Sequence, residues 1–419
     1  MKHLRILIFA LMFSSGIVSC GDNAVAGHNA DNNNYYKSLS LSTKGYEYMR
    51  LGSAFSYDFF ARVNAAAESD YVISPLSMQF LLGMILDGAK GTTADEICKV
   101  LGYGAGEENE VNEYCLSVLQ QLPTLDNKTN LSLANALYVN QDYHLLDSYC
   151  NTVETYYSAG IGNLDFHDEE GSANIINAWC SKQTNGLITK VLEKVTPENL
   201  AYLLNALYFK SQWSSPFKKQ YTCKEDFTDE KGVKSRVDMM KKEGMYKYSH
   251  NDVCEVLELP YGKGSFAMTI LLPKKGHNVA EVIEALKADR SIAWPERRQD
   301  VDIWLPKFES KFKIKLNDIL SEMGMPTSFD KKNADFSKMS EFALCLSYVR
   351  QDAVVKVDEE GTEAAAVSSA GMIKVTSLPQ EPLVIDFHAD HPFLYLITET
   401  STGAILFAGR YSNNPARAE

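Results

Sequence analysis

Glu359-Glu360-Gly361-Thr362-Glu363-Ala364-Ala365-Ala366 runs on into Val367-Ser368-Ser369-Ala370-Gly371-Met372-Ile373-Lys374-Val375-Thr376-Ser377-Leu378-Pro379, and this stretch decides the fold. It follows directly on Ala353–Val357, an apolar run that reads as a strand. It has no helical period, few large side chains and little charge. Taken as extended chain, it sends successive residues to opposite sides. Thr362, Ala364, Ala366, Ser368, Ala370 and Met372 share one side, all uncharged and most of them small. Glu363, Ala365, Val367, Ser369, Gly371 and Ile373 share the other, which carries the only carboxylate before Lys374. A face kept free of charge for this long suits burial, since an unpaired buried charge costs on the order of several kcal/mol. A strand that enters a sheet late, a permanent strand and an alanine- and serine-rich linker all fit this pattern.

Upstream of this stretch the chain is helical first and stranded later. Phe55, Phe59 and Val63 set a helix over 54–66, and Ser74 followed by Pro75 caps and opens a second. Thr92/Thr93 before Glu96 has capping-box spacing, and Ile175, Ile176 and Trp179 place a further helix over 172–182. Strands are expected over 131–139, 200–209, 254–259, 266–272, 301–305, 344–349 and 353–357. Pro392–Thr398 and Ala404–Gly409 read as a closing hairpin. Helices followed by antiparallel strands, with no linker after residue 45, point to one α+β domain.

Glu359–Ala366 resembles the hinge of the inhibitory serpins. Further motifs follow the family's order: Ile73-Ser74-Pro75-Leu76-Ser77, Leu86-Asp87-Gly88-Ala89-Lys90-Gly91-Thr92-Thr93, and Asn205-Ala206-Leu207-Tyr208-Phe209-Lys210-Ser211-Gln212-Trp213 with Pro216-Phe217. Leu305-Pro306-Lys307-Phe308, Ala334-Asp335-Phe336-Ser337-Lys338-Met339, Asp390-His391-Pro392-Phe393 and Leu406-Phe407-Ala408-Gly409-Arg410 complete the set. The likeness spans nearly all of the domain. It implies a serpin fold of three β-sheets and about nine helices, with an exposed reactive-centre loop over about 359–382. It also implies a suicide inhibitor of serine endopeptidases, with cysteine endopeptidases as a further target class, in which the cleaved loop enters the large sheet. A serpin-fold binding protein without inhibition is the alternative.

Counted from Glu359, the resemblance places the bait bond between Val375 and Thr376, suited to elastase-like proteases. Lys374, which suits trypsin-like enzymes, and Thr376 are alternatives for the residue before the cut. Ser74, Ser77, Asn205 and Gln351 fall where the sheet must part. Gln351 stands where many serpins carry a histidine, and its amide both donates and accepts hydrogen bonds.

The amino terminus has its own signal. Lys2 and Arg5, the apolar run 6–13 and the small residues before Cys20 predict a lipoprotein signal peptide over 1–19, with Cys20 as the lipidated residue. Residues 20–44 read as a tether and 45–414 as the domain. The expected location is therefore outside the cytoplasm, lipid-anchored to a bacterial membrane (periplasmic or at the cell surface) or extracellular, with membrane contact through the anchor only.

The 419 residues carry a net charge of −13, and without the leader's two cations −15. Such acidity disfavours nucleic acid and other polyanions. The other seven cysteines are dispersed without Cys-x-x-Cys spacing, so free, mostly buried thiols are expected, and neither metal nor cofactor. His388 and His391 read as structural. No Gly-x-Ser-x-Gly or His-Glu-x-x-His is present, so an enzyme is not expected. The expected partner is a serine protease, met by a monomer.

Overall fold

The computed structural model describes residues 36–362 and 384–414. Cys20, Glu363, Ala364, Ala365, Ala366, Lys374, Val375 and Thr376 lie outside the described residues. Eight α-helices are described: α1 Thr43–Ala66, α2 Pro75–Gly88, α3 Gly91–Leu101, α4 Glu108–Gln121, α5 Asp147–Tyr157, α6 Glu169–Gln183, α7 Val279–Ala288 and α8 Asn317–Met323. The strands are β1 Tyr71–Ile73, β2 Thr129–Asn140, β3 Ala159–Leu164, β4 Ala201–Gln212, β5 Cys223–Thr228, β6 Lys234–His250, β7 Cys254–Tyr261 and β8 Phe266–Pro273. They continue with β9 Arg298–Pro306, β10 Phe308–Lys315, β11 Arg350–Val357, β12 Gly361–Thr362, β13 Ile385–His388, β14 Phe393–Glu399 and β15 Ile405–Tyr411.

One sheet has six strands in the order β10-β11-β12-β4-β2-β3. The remaining strands run β1-β15-β14-β8-β7-β6-β9-β13, with β5 also on β6. The 17-residue β6 makes these one continuous ladder: it pairs with β9 through Met239–Lys247 and with β7 through Lys247–His250. The described strands thus form two sheets where three were expected, because β6 carries the larger one through without a break.

The core forms because helices and sheets present apolar faces to each other. α2 is the extreme case, buried almost all round, as its apolar sequence requires. Ser74 caps it, accepting from Ser77 N, and Pro75 fills the first turn. The closing hairpin β14–β15 is buried along its whole length.

Several expectations need correction. α1 opens at Thr43, capped by Ser42, so the expected domain boundary at 44/45 falls inside a helix. The chain before it already packs, with Leu39 buried and its N–H donating to Ser401 Oγ at 3.2 Å. Thr92/Thr93 and Glu96 form no capping box. α3 starts at Gly91 without a side-chain cap, and Glu96 reaches across to Thr327, accepting from its N at 2.9 Å and its Oγ1 at 2.8 Å. Residues 344–349 are not a strand, because their N–H groups find partners outside any strand: Leu346 N donates to Ser328 O and Val349 N to Asn317 Oδ1. The seven described cysteines are free as expected; Cys223 is exposed.

A polar file crosses the layers beneath the six-stranded sheet. Asn205 Nδ2 donates to Asn135 Oδ1 (2.7 Å), Asn135 Nδ2 to Tyr157 O (2.6 Å), Tyr157 Oη to Asn112 Oδ1 (2.8 Å), and Asn112 Nδ2 to Asp87 Oδ1 (2.9 Å). Asp87 Oδ2 is enclosed with no partner. Burial pushes the Asp87 carboxyl up to about 7, against the pull of the Asn112 amide. The folded protein therefore keeps this proton over a range where the unfolded chain has lost it, and stability falls as pH rises from about 4 to about 7. Asp87→Asn is expected to flatten that fall and to raise the unfolding midpoint in urea at pH 8 relative to the parent, while leaving it nearly unchanged at pH 4.

Candidate functional site: an unfilled slot in the six-stranded sheet

β4 is paired with β2 along nearly all its length, Ala201 through Ser211. On its other side the described pairing is confined to its last two residues: Ser211 faces Thr362 and Gln212 faces Gly361. β11 is paired with β10 throughout and meets β12 only at Val357↔Thr362. Below that junction no described strand lies between β4 and β11. A cleft of about 510 Å³ occupies the place, lined among others by Leu81, Leu203, Asn205, Leu346 and Gln351. Two facing strand edges that no described strand joins below Thr362 form a template for one more strand.

The hinge is already seated at the top of this slot. Thr362 is 2% exposed and its Oγ1 is hydrogen-bonded to Tyr261 Oη. The inward face that the sequence assigns to Thr362, Ala364 and Ala366 is thus buried at its first member in the uncut chain. Gly361 has φ +154°, and a Cβ there would lie 2.1 Å from Ser211 O. Only glycine lets the chain approach β4 this closely.

Glu359 and Glu360 are gripped by the segment after β4. Trp213 N donates to Glu360 O and Phe217 N to Glu359 O, each at 2.8 Å, and Trp213 Nε1 donates to Asp358 O at 3.0 Å. Trp213 in turn stacks on Tyr261 with ring centroids 4.4 Å apart. The Glu359 carboxylate is buried, 2.9 Å from Lys307 Nζ and accepting from Thr222 Oγ1 at 2.9 Å. Burial opposes its charge, but Lys307 and these donors hold its carboxyl below the usual carboxylate range. Lys219 pairs with Glu360 at the surface, at 3.0 Å.

Lower in the cleft, Gln351 is pinned to the N-cap of α2. Its Oε1 accepts from Ser74 N at 2.9 Å and its Nε2 donates to Ser74 O at 2.8 Å. Ser77, Asn205 and Gln351 line the cleft, and Ser74 borders it through Gln351. Ser77 Oγ and Asn205 Oδ1 have no partner among the described residues, and Gln351 spends both amide groups on the Ser74 backbone.

Sequence reasoning singled out 205–217 and Leu305–Phe308 as motifs without a role for Trp213, Phe217 or Lys307. Tyr261 and Thr222 were missed, since nothing local marks a residue whose partner lies about 100 positions away.

Two substitutions probe this site. Gly361→Ala is expected to destabilise the intact protein by about 1–3 kcal/mol through overpacking against β4, read as a lowered urea midpoint. Gln351→Ala strands the buried N–H and C=O of Ser74 and is expected to cost about 2–4 kcal/mol in the same measurement.

The sequence profile of the serpin (serine protease inhibitor) family matches residues 51–414. The leukocyte elastase inhibitor of Xenopus laevis is 35% identical over 373 residues, covering 86% of this chain and 97% of the relative. The native-state structure of the thermophilic serpin tengpin superposes with a TM-score of 0.79 at 28% identity, over 90% of this chain and 96% of that one. Human thyroxine-binding globulin with bound thyroxine superposes at 0.80 with 27% identity, over 89% and 100%. With the profile spanning almost the whole described domain and the slotted sheet in place, the chain belongs to the serpin family.

Proposed function

We propose that this serpin is a suicide inhibitor of serine endopeptidases, and that the slot between β4 and β11 is where its cleaved loop goes. The observation that carries the reading is the hinge: Gly361-Thr362 is paired to both strands at the mouth of a slot that no other described strand enters. The target's serine oxygen attacks the carbonyl carbon of Val375, with Lys374 or Thr376 as the alternative position. The peptide bond to the next residue breaks, its nitrogen leaves with a proton, and an ester to the protease remains. Insertion then proceeds from Thr362 downward and carries the ester-linked protease with it before water can complete the hydrolysis.

The energy for this is of the right size. A dozen inserted residues, each adding a net backbone hydrogen bond of about 1 kcal/mol, contribute on the order of 10 kcal/mol. Residues 364, 366, 368 and 370 on the inward side are Ala, Ala, Ser and Ala, which bury without an unpaired charge. An elastase-like target follows from Val375 and agrees with the name of the Xenopus relative; Lys374 adds a trypsin-like option. Export with Cys20 lipidated, and action as a monomer, belong to the same reading.

Likeness to thyroxine-binding globulin makes a non-inhibitory binding protein the competing reading. Incubation with pancreatic elastase and with trypsin separates the two. An inhibitor gives an SDS-stable complex of summed mass and releases a carboxy-terminal fragment of about 44 residues, Thr376–Glu419; the cut protein gains roughly 20 °C or more in Tm. Ala364→Arg is expected to turn the inhibitor into a substrate by placing a guanidinium on the inward side. Clean cleavage by both proteases with full residual protease activity and no gain in Tm sinks the inhibitor reading.

A further inference from the structure

The short β13 pairs in parallel with β9 over four residues, and with no other described strand. It is also the strand that receives the chain directly after the 363–383 stretch. The register across β6, β9 and β13 sets Glu243, Asp302 and Asp386 in one row and Lys241, Trp304 and His388 in the row two residues along. Since residues two apart share a face, both rows lie on the same side of the sheet.

The first row is three carboxylates as cross-strand neighbours, an arrangement that like-charge repulsion disfavours. Neither Glu243 nor Asp386 has an ion pair among the described residues. The second row places an imidazole beside them. His388 stacks on Trp304 with centroids 4.2 Å apart, and its Nε2 lies 3.2 Å from Asp302 Oδ2. Trp304 Nε1 donates to that same oxygen at 3.0 Å, fixing the Asp302 carboxylate. Lys241, the cation of the row, is engaged by Glu225 and lies over the Trp304 ring at 3.4 Å.

We propose that Asp302, Asp386 and His388 bind a divalent cation of the zinc class, which staples β13 to β9. One ligand atom from each of the three lies within 4.8 Å of the others. A tetrahedral site with bonds of about 2.1 Å holds its donors about 3.4 Å apart, so small side-chain rotations close the site. One nitrogen and two carboxylate oxygens suit zinc, nickel or cobalt better than magnesium, which prefers an all-oxygen octahedron. The Trp304 indole orients Asp302 as outer-shell hydrogen bonds orient ligands in metal sites. Of the neighbouring histidine pair, His391 is structural as the sequence suggests: its Nδ1 meets Asp390 Oδ1 at 2.8 Å and its Nε2 meets Pro273 O at 2.8 Å. His388 differs in turning Nε2 toward a carboxylate pair. A cation held there secures the strand at the far end of the bait stretch, and this reading stands independently of what that stretch inhibits.

Titration calorimetry of the whole chain with Zn²⁺ alone, with Mg²⁺ as control, tests the site. One Zn²⁺ is expected to bind, Mg²⁺ is not, and Tm rises by about 3 °C at a hundredfold excess over Kd. Asp386→Asn, which keeps the His388–Trp304 stack, and His388→Gln are each expected to weaken binding at least tenfold. Amide exchange gives a readout independent of any variant's stability: Zn²⁺ should slow exchange in 298–306 and 385–388 of the unsubstituted protein. Absence of Zn²⁺ binding, binding unchanged in both variants, or protection confined to other segments overturns the proposal.

Discussion

The whole domain is organised around two strand edges that face each other without a complete ladder between them. β4 and β11 are each firmly paired on their outer sides, to β2 and β10, and among the described residues meet each other only through Gly361-Thr362. An unclaimed strand edge in a protein interior carries a cost, because backbone N–H and C=O groups without partners forfeit about 1–3 kcal/mol each unless water reaches them. The chain keeps this arrangement because everything around the slot is packed well enough to hold it. Beneath lies α2, buried almost all round, and at the mouth lies a hinge that is already committed to the sheet.

Two groups of contacts hold the slot in its present form, and their strengths set the order in which they yield. At the mouth, the Trp213 and Phe217 amides, Lys307, Thr222 and the Tyr261 hydroxyl fix Asp358–Thr362. Deeper in, Gln351 holds Ser74 by two bonds, and the irregular segment 344–349 occupies the floor with Leu344 and Leu346. Each polar contact is worth about 1 kcal/mol net, more for the buried Glu359–Lys307 pair. Strand addition over a dozen residues exceeds any one of them several-fold. On the proposed insertion mechanism, these contacts form the barrier that holds the uncut form.

Much of the fold was legible because it rests on local pattern. Ser74-Pro75 marked the start of α2, and apolar runs marked β2, β4, β7, β8 and the closing hairpin. The family motifs then supplied topology, which no local pattern contains. Failures came where a local signal had a distant competitor. Glu96 had capping-box spacing but found Thr327, and residues 344–349 read as a strand but gave their N–H groups to Ser328 O and Asn317 Oδ1 instead. In the site, the hinge residues and Gln351 were visible by type. The clamp was not, because Trp213, Tyr261 and Lys307 acquire their roles only when β4, β7 and the start of β10 are brought to the hinge.

Ser77 Oγ and Asn205 Oδ1 sharpen this picture. Both are buried, both lack partners, and both border the cleft, while their neighbours Ser74 and Asn135 are fully engaged. Orphaned buried acceptors are rare in a finished core and persist where a second arrangement exists to use them. The amide nearest in kind, that of Gln351 on β11, is tied to the Ser74 backbone by two bonds. On the proposed insertion mechanism, a shift of β11 would free that amide for other partners in the slot. Ser77 Oγ and Asn205 Oδ1 would then be a cost of the present spacing of β4 and β11 that an added strand relieves.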